Sequence, residues 1–359
     1  MLLVIFGAGA SYDSAPQLRP SRDAEANVQW RPPLTDMLFA ERKEFGRDIT
    51  NYPRILPLVA QLSRASKDQP LEKMLARLVE EASDYPARLS ELVAVRYYLQ
   101  QLIWECDYRW QYERLGITNY LGILDRIQRW RHGRRDSVLF LTFNYDRLFE
   151  YAASFYISDG KKPFANEYST LESYIDQPYF PLVKLHGSID WGYRVNTDLP
   201  IVAESGEHVW SIAHEVIARF TDLSIATEIT KTEERPPKPQ GGHAYVPALA
   251  IPLDKKSNFA CPESHLEFLD SRLHEVRSVL AIGWRGMEEH FLGRISGELA
   301  ADVRLLTVCG SREASDETVE RLRSAGIGRE RSEPFEGGFS EFVPSAEADA
   351  FLKEALAAE

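Results

Sequence analysis

A chain of 359 residues, 44% of them hydrophobic and 27% charged, can bury a large core as one big domain or as one domain with an insert, which excludes a disordered or fibrous chain. With 42 basic against 54 acidic residues the net charge is -12, which argues against capture of a nucleic-acid backbone by broad attraction, so no direct nucleic-acid binding is expected. Cys106, Cys261 and Cys309 stand far apart and form no CxxC pair, which excludes a four-cysteine zinc module, offers no disulfide framework and points to a reducing cytoplasm.

Leu2 to Phe6 is a short apolar run closed by Gly7, the pattern of a strand buried on both faces of a parallel sheet. It lacks a basic leader and reads as a strand rather than a signal peptide, and no later apolar run approaches the ~20 residues of a membrane span. From residue 35 to 133 the pattern turns helical. Leu71, Met74, Leu75, Leu78 and Val79 mark one amphipathic face, Leu89, Leu92, Val95, Leu99 and Leu102 a second, and Leu121, Leu124 and Ile127 a third. This stretch is far longer than a single crossover helix needs, so an inserted all-helical module is predicted. Arg126 to Arg135 (RIQRWRHGRR) is the one candidate basic patch; at a helix end such a run complements the helix dipole and reads as a solvated face.

Val138–Thr142 (VLFLT), Leu182–Leu185, Val279–Ile282 and Val303–Val308 repeat the buried-strand pattern. Leu266, Leu269, Leu273 and Val276 share one helical face, and Met287, Phe291 and Ile295 another. Strands alternating with helices predict an α/β fold with a Rossmann-like, doubly wound parallel sheet. Glu228 to Gly242, with its charges, three prolines and paired glycines, reads as a loop. Ala346 to Ala358 reads as a terminal helix. The expected organisation is a Rossmann-like domain from residues 1–34 and 134–343, a helical insert at 35–133 and a C-terminal helix at 344–359.

Three motifs fall at predicted strand ends, where ligands of such sheets bind. Gly7-Ala8-Gly9-Ala10-Ser11 follows the first strand; its glycines allow a tight turn and a close backbone approach to a pyrophosphate. Tyr12 stands where the third glycine of the dinucleotide fingerprint would fall, which disfavours an ordinary dehydrogenase. Thr142-Phe-Asn-Tyr-Asp146 brings Asn144, an uncharged group able to orient water or a ribose hydroxyl, and Asp146, which suits either a ribose or the capping of the next helix. Lys184-Leu-His-Gly-Ser188 brings His186, whose ordinary pKa of ~6.5 suits a general base.

GAGAS, TFNYD and KLHGS, in this order, resemble the GAG-x-S, T-Q-N-x-D and H-G motifs of the sirtuin superfamily, and more closely its bacterial sirtuin-like branch. Arg31-Pro-Pro-Leu-Thr-Asp36, Ile282-Gly-Trp284 and Gly337-Gly-Phe-Ser-Glu-Phe342 are similar to further segments of that branch. The resemblance implies a sirtuin-like fold in which Gly7, Ala8, Gly9 and Ser11 cradle the phosphates of NAD, Asn144 and Asp146 sit around the nicotinamide ribose, and Gly187 and Gly283 line the cofactor. It makes Asn144 and His186 the catalytic pair. Phe143 replaces the family's glutamine, and the zinc-binding cysteines of deacylase sirtuins are absent, so protein deacylation is not expected. The zinc-free branch is associated with NAD hydrolysis to nicotinamide and ADP-ribose in anti-phage defence. That implies NAD as substrate, no metal, a homo-oligomer and a protein partner such as a DNA-translocating ATPase or an Argonaute, with no membrane involved. The other readings are a non-catalytic NAD or ADP-ribose sensor or scaffold, and a protein ADP-ribosyltransferase or deacylase.

Overall fold

The computed structural model describes residues 1–15, 30–40, 49–63, 71–82, 84–114, 117–135, 137–157, 167–196, 208–232, 243–251, 259–300 and 302–357. In chain order the elements are β1 (Leu2–Phe6), α1 (Ala8–Tyr12), a 3-10 turn (Thr35–Met37), α2 (Leu56–Leu62), α3 (Leu71–Ala82), α4 (Ala87–Arg114), α5 (Asn119–Trp130) and β2 (Val138–Thr142). There follow α6 (Leu148–Ile157), α7 (Glu172–Ile175), β3 (Leu182–Lys184), β4 (Gly187–Val195), α8 (His208–Arg219), a second 3-10 turn (Phe220–Asp222), β5 (Ile225–Lys231) and β6 (Tyr245–Leu249). The remaining elements are α9 (Glu263–Leu273), β7 (Ser278–Ile282), α10 (Glu289–Ile295), β8 (Arg304–Val308), α11 (Arg312–Ser324), β9 (Arg331–Phe335), α12 (Gly338–Phe342) and α13 (Ala346–Ala355). The chain divides into two compact units: Met1–Asn27, Arg109–Leu185 and Glu263–Glu359 form the first, and Val28–Tyr108 with His186–Pro262 the second. Between residues 35 and 133 the described elements are all helical; those before Arg109 count with the second unit and those after it with the first.

The first unit holds a six-stranded sheet in the order β3-β2-β1-β7-β8-β9, with every neighbouring pair parallel. Taken among themselves, these strands run 3-2-1-4-5-6, the doubly wound order, and the expected fold class holds. β1, β2, β7 and β8 are buried along their whole length, which is why their sequences are unbroken apolar runs rather than alternating ones. Below the end of β1, Phe6 packs edge-on against Tyr120 at 4.9 Å between ring centroids and lies near Phe140, Phe149 and Phe339. Each such buried ring contributes about 1.5–3 kcal/mol relative to exposure.

Three sequence expectations need correction in this unit. β9 was not predicted, because Arg-Ser-Glu-Pro-Phe is a partly exposed edge strand, and only an edge tolerates a proline and charges of this kind. Met287 does not share a face with Phe291 and Ile295: it precedes α10 and is exposed, whereas the other two are buried. The basic run is a solvated face at Arg129, His132, Arg134 and Arg135, which are exposed, but not at Arg126 and Arg131. Arg126 pairs with Asp349 at 2.7 Å, Trp130 Nε1 donates to the same carboxylate, and Arg134 donates to the Leu356 carbonyl at the end of α13. Arg131 is fully buried, its guanidinium lying over the rings of Tyr179 and Phe180 at 4.7 and 4.9 Å. The run therefore fastens the C-terminal helix and complements its dipole.

The second unit contains an antiparallel sheet of order β5-β4-β6, which the sequence did not announce. β5 runs into the stretch expected to be a loop from Glu228: its Ile225, Thr227, Ile229 and Thr230 are β-branched, its Glu228 is exposed, and its Lys231 pairs with Asp190 at 2.6 Å. Residues 233–242 of that expected loop lie outside the described residues. In α4, apolar and polar side chains are buried together. Arg96 donates to the Pro247 and Ile251 carbonyls and Gln100 to that of Ile189. These bonds satisfy the polar groups that burial would otherwise penalise.

Candidate functional site

The first unit brings the glycine loop, the TFNYD segment and Gly283 together. Phe6 pairs with Thr142 on one side and with Ile282 on the other, so the residues after these three strand ends are neighbours. The strand order reverses between β1 and β7, and doubly wound sheets bind ligands in the crevice at that reversal. There the backbones are packed in direct contact. Gly7 N-H donates to the Ile282 carbonyl (3.0 Å), Gly9 N-H to that of Gly283 (3.0 Å) and Gly283 N-H to that of Val308 (2.8 Å). A Cβ on Gly7 would lie 2.5 Å from the Gly283 oxygen, and one on Gly9 would lie 2.8 Å from the Gly283 Cα. The glycines are thus required by contact with β7, and the Gly7, Gly9 and Ala10 amides are engaged within the fold.

Ser11, in α1, and Asn144, two residues past β2, meet beneath this loop. Asn144 Nδ2 donates to the Gly7 carbonyl (2.9 Å) and Ser11 Oγ (2.8 Å), with Tyr120 Oη at 3.2 Å. Ser11 Oγ and Tyr120 Oη are 2.9 Å apart. Tyr120 was not foreseen from the sequence; burial first, then the charge of Asp146, pushes its phenol well above the usual range and keeps it neutral. Asp146 caps α6 by accepting from Leu148 N-H at 3.1 Å, and the nearby Ser11 hydroxyl favours its charged form. Burial raises the Asp146 carboxyl above its ordinary value while the Lys184 ammonium pulls the other way. Lys184, the last residue of β3, is fully buried. Its Nζ donates to the Asp146 carbonyl and to Glu150 Oε1 at 2.8 Å.

Phe143 lies on the apolar side of the same edge. Its ring stacks on Trp284 (5.3 Å, 12°) and meets Phe291 edge-on (5.3 Å), while Trp284 Nε1 donates to Glu288 Oε2 at 2.6 Å. An amide side chain at position 143 would have to be buried among these rings, which accounts for the aromatic residue there.

His186 and Gly187 belong to the second unit. The His186 carbonyl accepts from Ala250 N-H at 2.9 Å, and loss of hydration pulls its imidazole down to about 4, so that it is neutral at physiological pH. Gly187 has φ +86, and a Cβ there would lie 1.8 Å from the Ala248 carbonyl oxygen, so its glycine is required by backbone contact. Asn144, Asp146, Gly7 to Ser11 and Gly283 therefore form one cluster, and His186 with Gly187 stands in the other unit. Among the described residues no group of three His, Cys, Asp or Glu side chains is placed to hold a metal ion. No helix among them is long and apolar enough to cross a membrane.

No protein-family model matches the chain, and no curated protein does. Among solved structures, the chain is similar to the crystal structure of a Sir2 homolog–NAD complex, at 11% sequence identity and a TM-score of 0.39, over 99% of this chain and 90% of that one. At that distance the fold assignment rests on this chain's own strand order and register.

Proposed function

We propose that the chain binds NAD at the crevice between the ends of β1 and β7 and hydrolyses the nicotinamide–ribose bond. One observation carries the reading: Ser11 of GAGAS and Asn144 of TFNYD are joined by a buried hydrogen bond, with Asp146 two residues on at the start of the next helix, at the point where a doubly wound sheet receives a dinucleotide. The same two motifs carry the resemblance to sirtuins. Cleavage builds oxocarbenium-like charge on the ribose as neutral nicotinamide leaves, so the site must tolerate a cation and supply water. With its amide nitrogen committed to the loop, Asn144 offers its carbonyl oxygen to a water or a ribose hydroxyl. His186 takes the proton. No pair of carboxylates is assigned, so water attacks a formed cation rather than a glycosyl ester.

The test is incubation with NAD and quantification of products: nicotinamide and free ADP-ribose in equal amounts are expected, whereas intact NAD, or ADP-ribose attached to protein, would sink the reading. Because free NADase activity would poison a cell, the resting chain is proposed to be repressed and released by self-assembly or by a partner such as a DNA-translocating ATPase or an Argonaute, in anti-phage defence. The assay is therefore run on the chain alone and on its complexes, and equal high turnover in both would contradict repression.

The neutral imidazole sets a pH signature. A base whose pKa in the folded protein is about 4 stays competent far below the ordinary ~6.5, so kcat/KM should be level from pH 8 to about 5 and fall only near pH 4. The same depression means that the unfolded chain binds this proton first as pH drops, so His186 contributes a loss of stability between about pH 6.5 and pH 4. An acid limb centred near 6.5 would show that the base is not a depressed imidazole, and nicotinamide release unchanged in His186→Ala would show that His186 is not the base.

A further inference from the structure

We infer that Lys184 is a positioning residue of the proposed site, an inference that rests on the reading above: with Glu150 it ties the Thr142–Asp146 loop, through the Asp146 carbonyl, to the end of β3. The geometry begins in the sheet, where Thr142 and Lys184 are paired neighbours on parallel strands, so TFNYD and KLHGS leave the sheet side by side. The Lys184 ammonium then joins three elements. It holds the Asp146 carbonyl in the loop and the Glu150 carboxylate in the first turn of α6, and Asp146 itself caps that helix.

A saturated structural bridge would look different. Burying two ions is offset by their attraction only when the remaining hydrogen-bonding capacity is met, yet Glu150 Oε2 is buried with no partner. Two apolar residues would fill this space at lower cost, so the pair is maintained for what it holds in place. The other polar groups facing the cluster are Ser11 from α1, Tyr120 from α5, and Tyr168 and Tyr174 from the segment before β3. Tyr120 and Tyr168 are kept neutral by burial first and then by the nearby carboxylates, so the positive charge against Asp146 comes from Lys184.

Lys184→Met alone would strand the buried Glu150 carboxylate and is expected to impair folding. The informative protein is the double variant Lys184→Met/Glu150→Leu, in which both charges give way to apolar groups of similar size; Lys184→Gln/Glu150→Gln is a second neutral pair, read in the same way. Two measurements are made on the full chain. A carbon-13 NMR titration of the Asp146 carboxyl, which needs no NAD, should show its midpoint raised when the Lys184 cation, which pulls it down, is removed with Glu150. The pH dependence of nicotinamide release should show kcat lowered about tenfold to a hundredfold, with KM nearly constant. A folded double variant whose Asp146 midpoint and kcat both match wild type would overturn the assignment and leave Lys184 a packing residue. If the wild type does not cleave NAD, the functional reading fails, and the Asp146 titration still decides whether Lys184 governs that carboxylate.

Discussion

Asn144→Ala is expected to lower the rate of nicotinamide release by about 10²–10³-fold, the range found when one preorganised polar group is removed from a reacting centre. The physical reason has two parts. The carbonyl oxygen proposed to orient water or the ribose is lost. So is the nitrogen that donates to the Gly7 carbonyl and to Ser11 Oγ; these keep Ala10 N-H and Tyr120 Oη as partners, so the stability cost is that of ordinary lost hydrogen bonds, about 0.5–1.5 kcal/mol each. A purely structural role would give only the second effect. Steady-state kinetics well below the variant's melting temperature therefore separate the two, and nicotinamide release at the wild-type rate would remove Asn144 from the mechanism. Asn144→Asp sharpens the comparison, because it preserves shape while turning the donating nitrogen into an acceptor facing the Gly7 oxygen. That variant should lose more stability than the alanine.

The fold was legible where burial is complete. β1, β2, β7 and β8 lie inside the sheet, so their apolar runs are unbroken and their ends were located to within a residue. β5 and the edge strand β9 were not, because partial exposure admits Thr, Glu, Lys, Arg and Pro into their sequences, and β4 and β6, though largely buried, carry Gly, Ser, Asp and Pro that break the apolar run. In the site, the convergence of GAGAS and TFNYD followed from strand order alone. Tyr120 and Glu150 did not, since each stands in a helical segment with no local motif, and only the three-dimensional packing of α5 and α6 brings them to Ser11 and Lys184. A buried hydroxyl on an otherwise apolar helix face was the signal available for Tyr120. The missing third glycine at Tyr12 also gains a physical account. In the dinucleotide fingerprint that glycine permits close packing of helix against strand; here the close approach to the loop is made from the other side, by Gly283 at the end of β7.

That account makes Gly283→Ala the most damaging small substitution in the first unit. Gly283 has φ +61, a conformation that costs an L-residue about 1–2 kcal/mol. Its added methyl would lie 2.1 Å from the Ala10 nitrogen and 2.4 Å from the Gly9 carbonyl carbon. Both are backbone atoms of the loop, and no side chain can rotate away to relieve the overlap. Relief must come from moving the loop off β7, which breaks the Gly9 N-H bond to the Gly283 carbonyl and displaces Ser11 from Asn144. A destabilisation of about 3–5 kcal/mol is expected, read as a fall in melting temperature of about 10 °C or more, together with loss of nicotinamide release in whatever folded protein remains. Gly293→Ala is the matched control. It lies in α10 with no other atom within 4 Å of the added methyl, and helix propensity should make it neutral or stabilising by about 0.5–1 kcal/mol. If both alanines melt with the wild type, the loop is able to retreat from β7 without penalty, and the contact of Gly7 and Gly9 with Gly283 is not the joint that fixes the crevice.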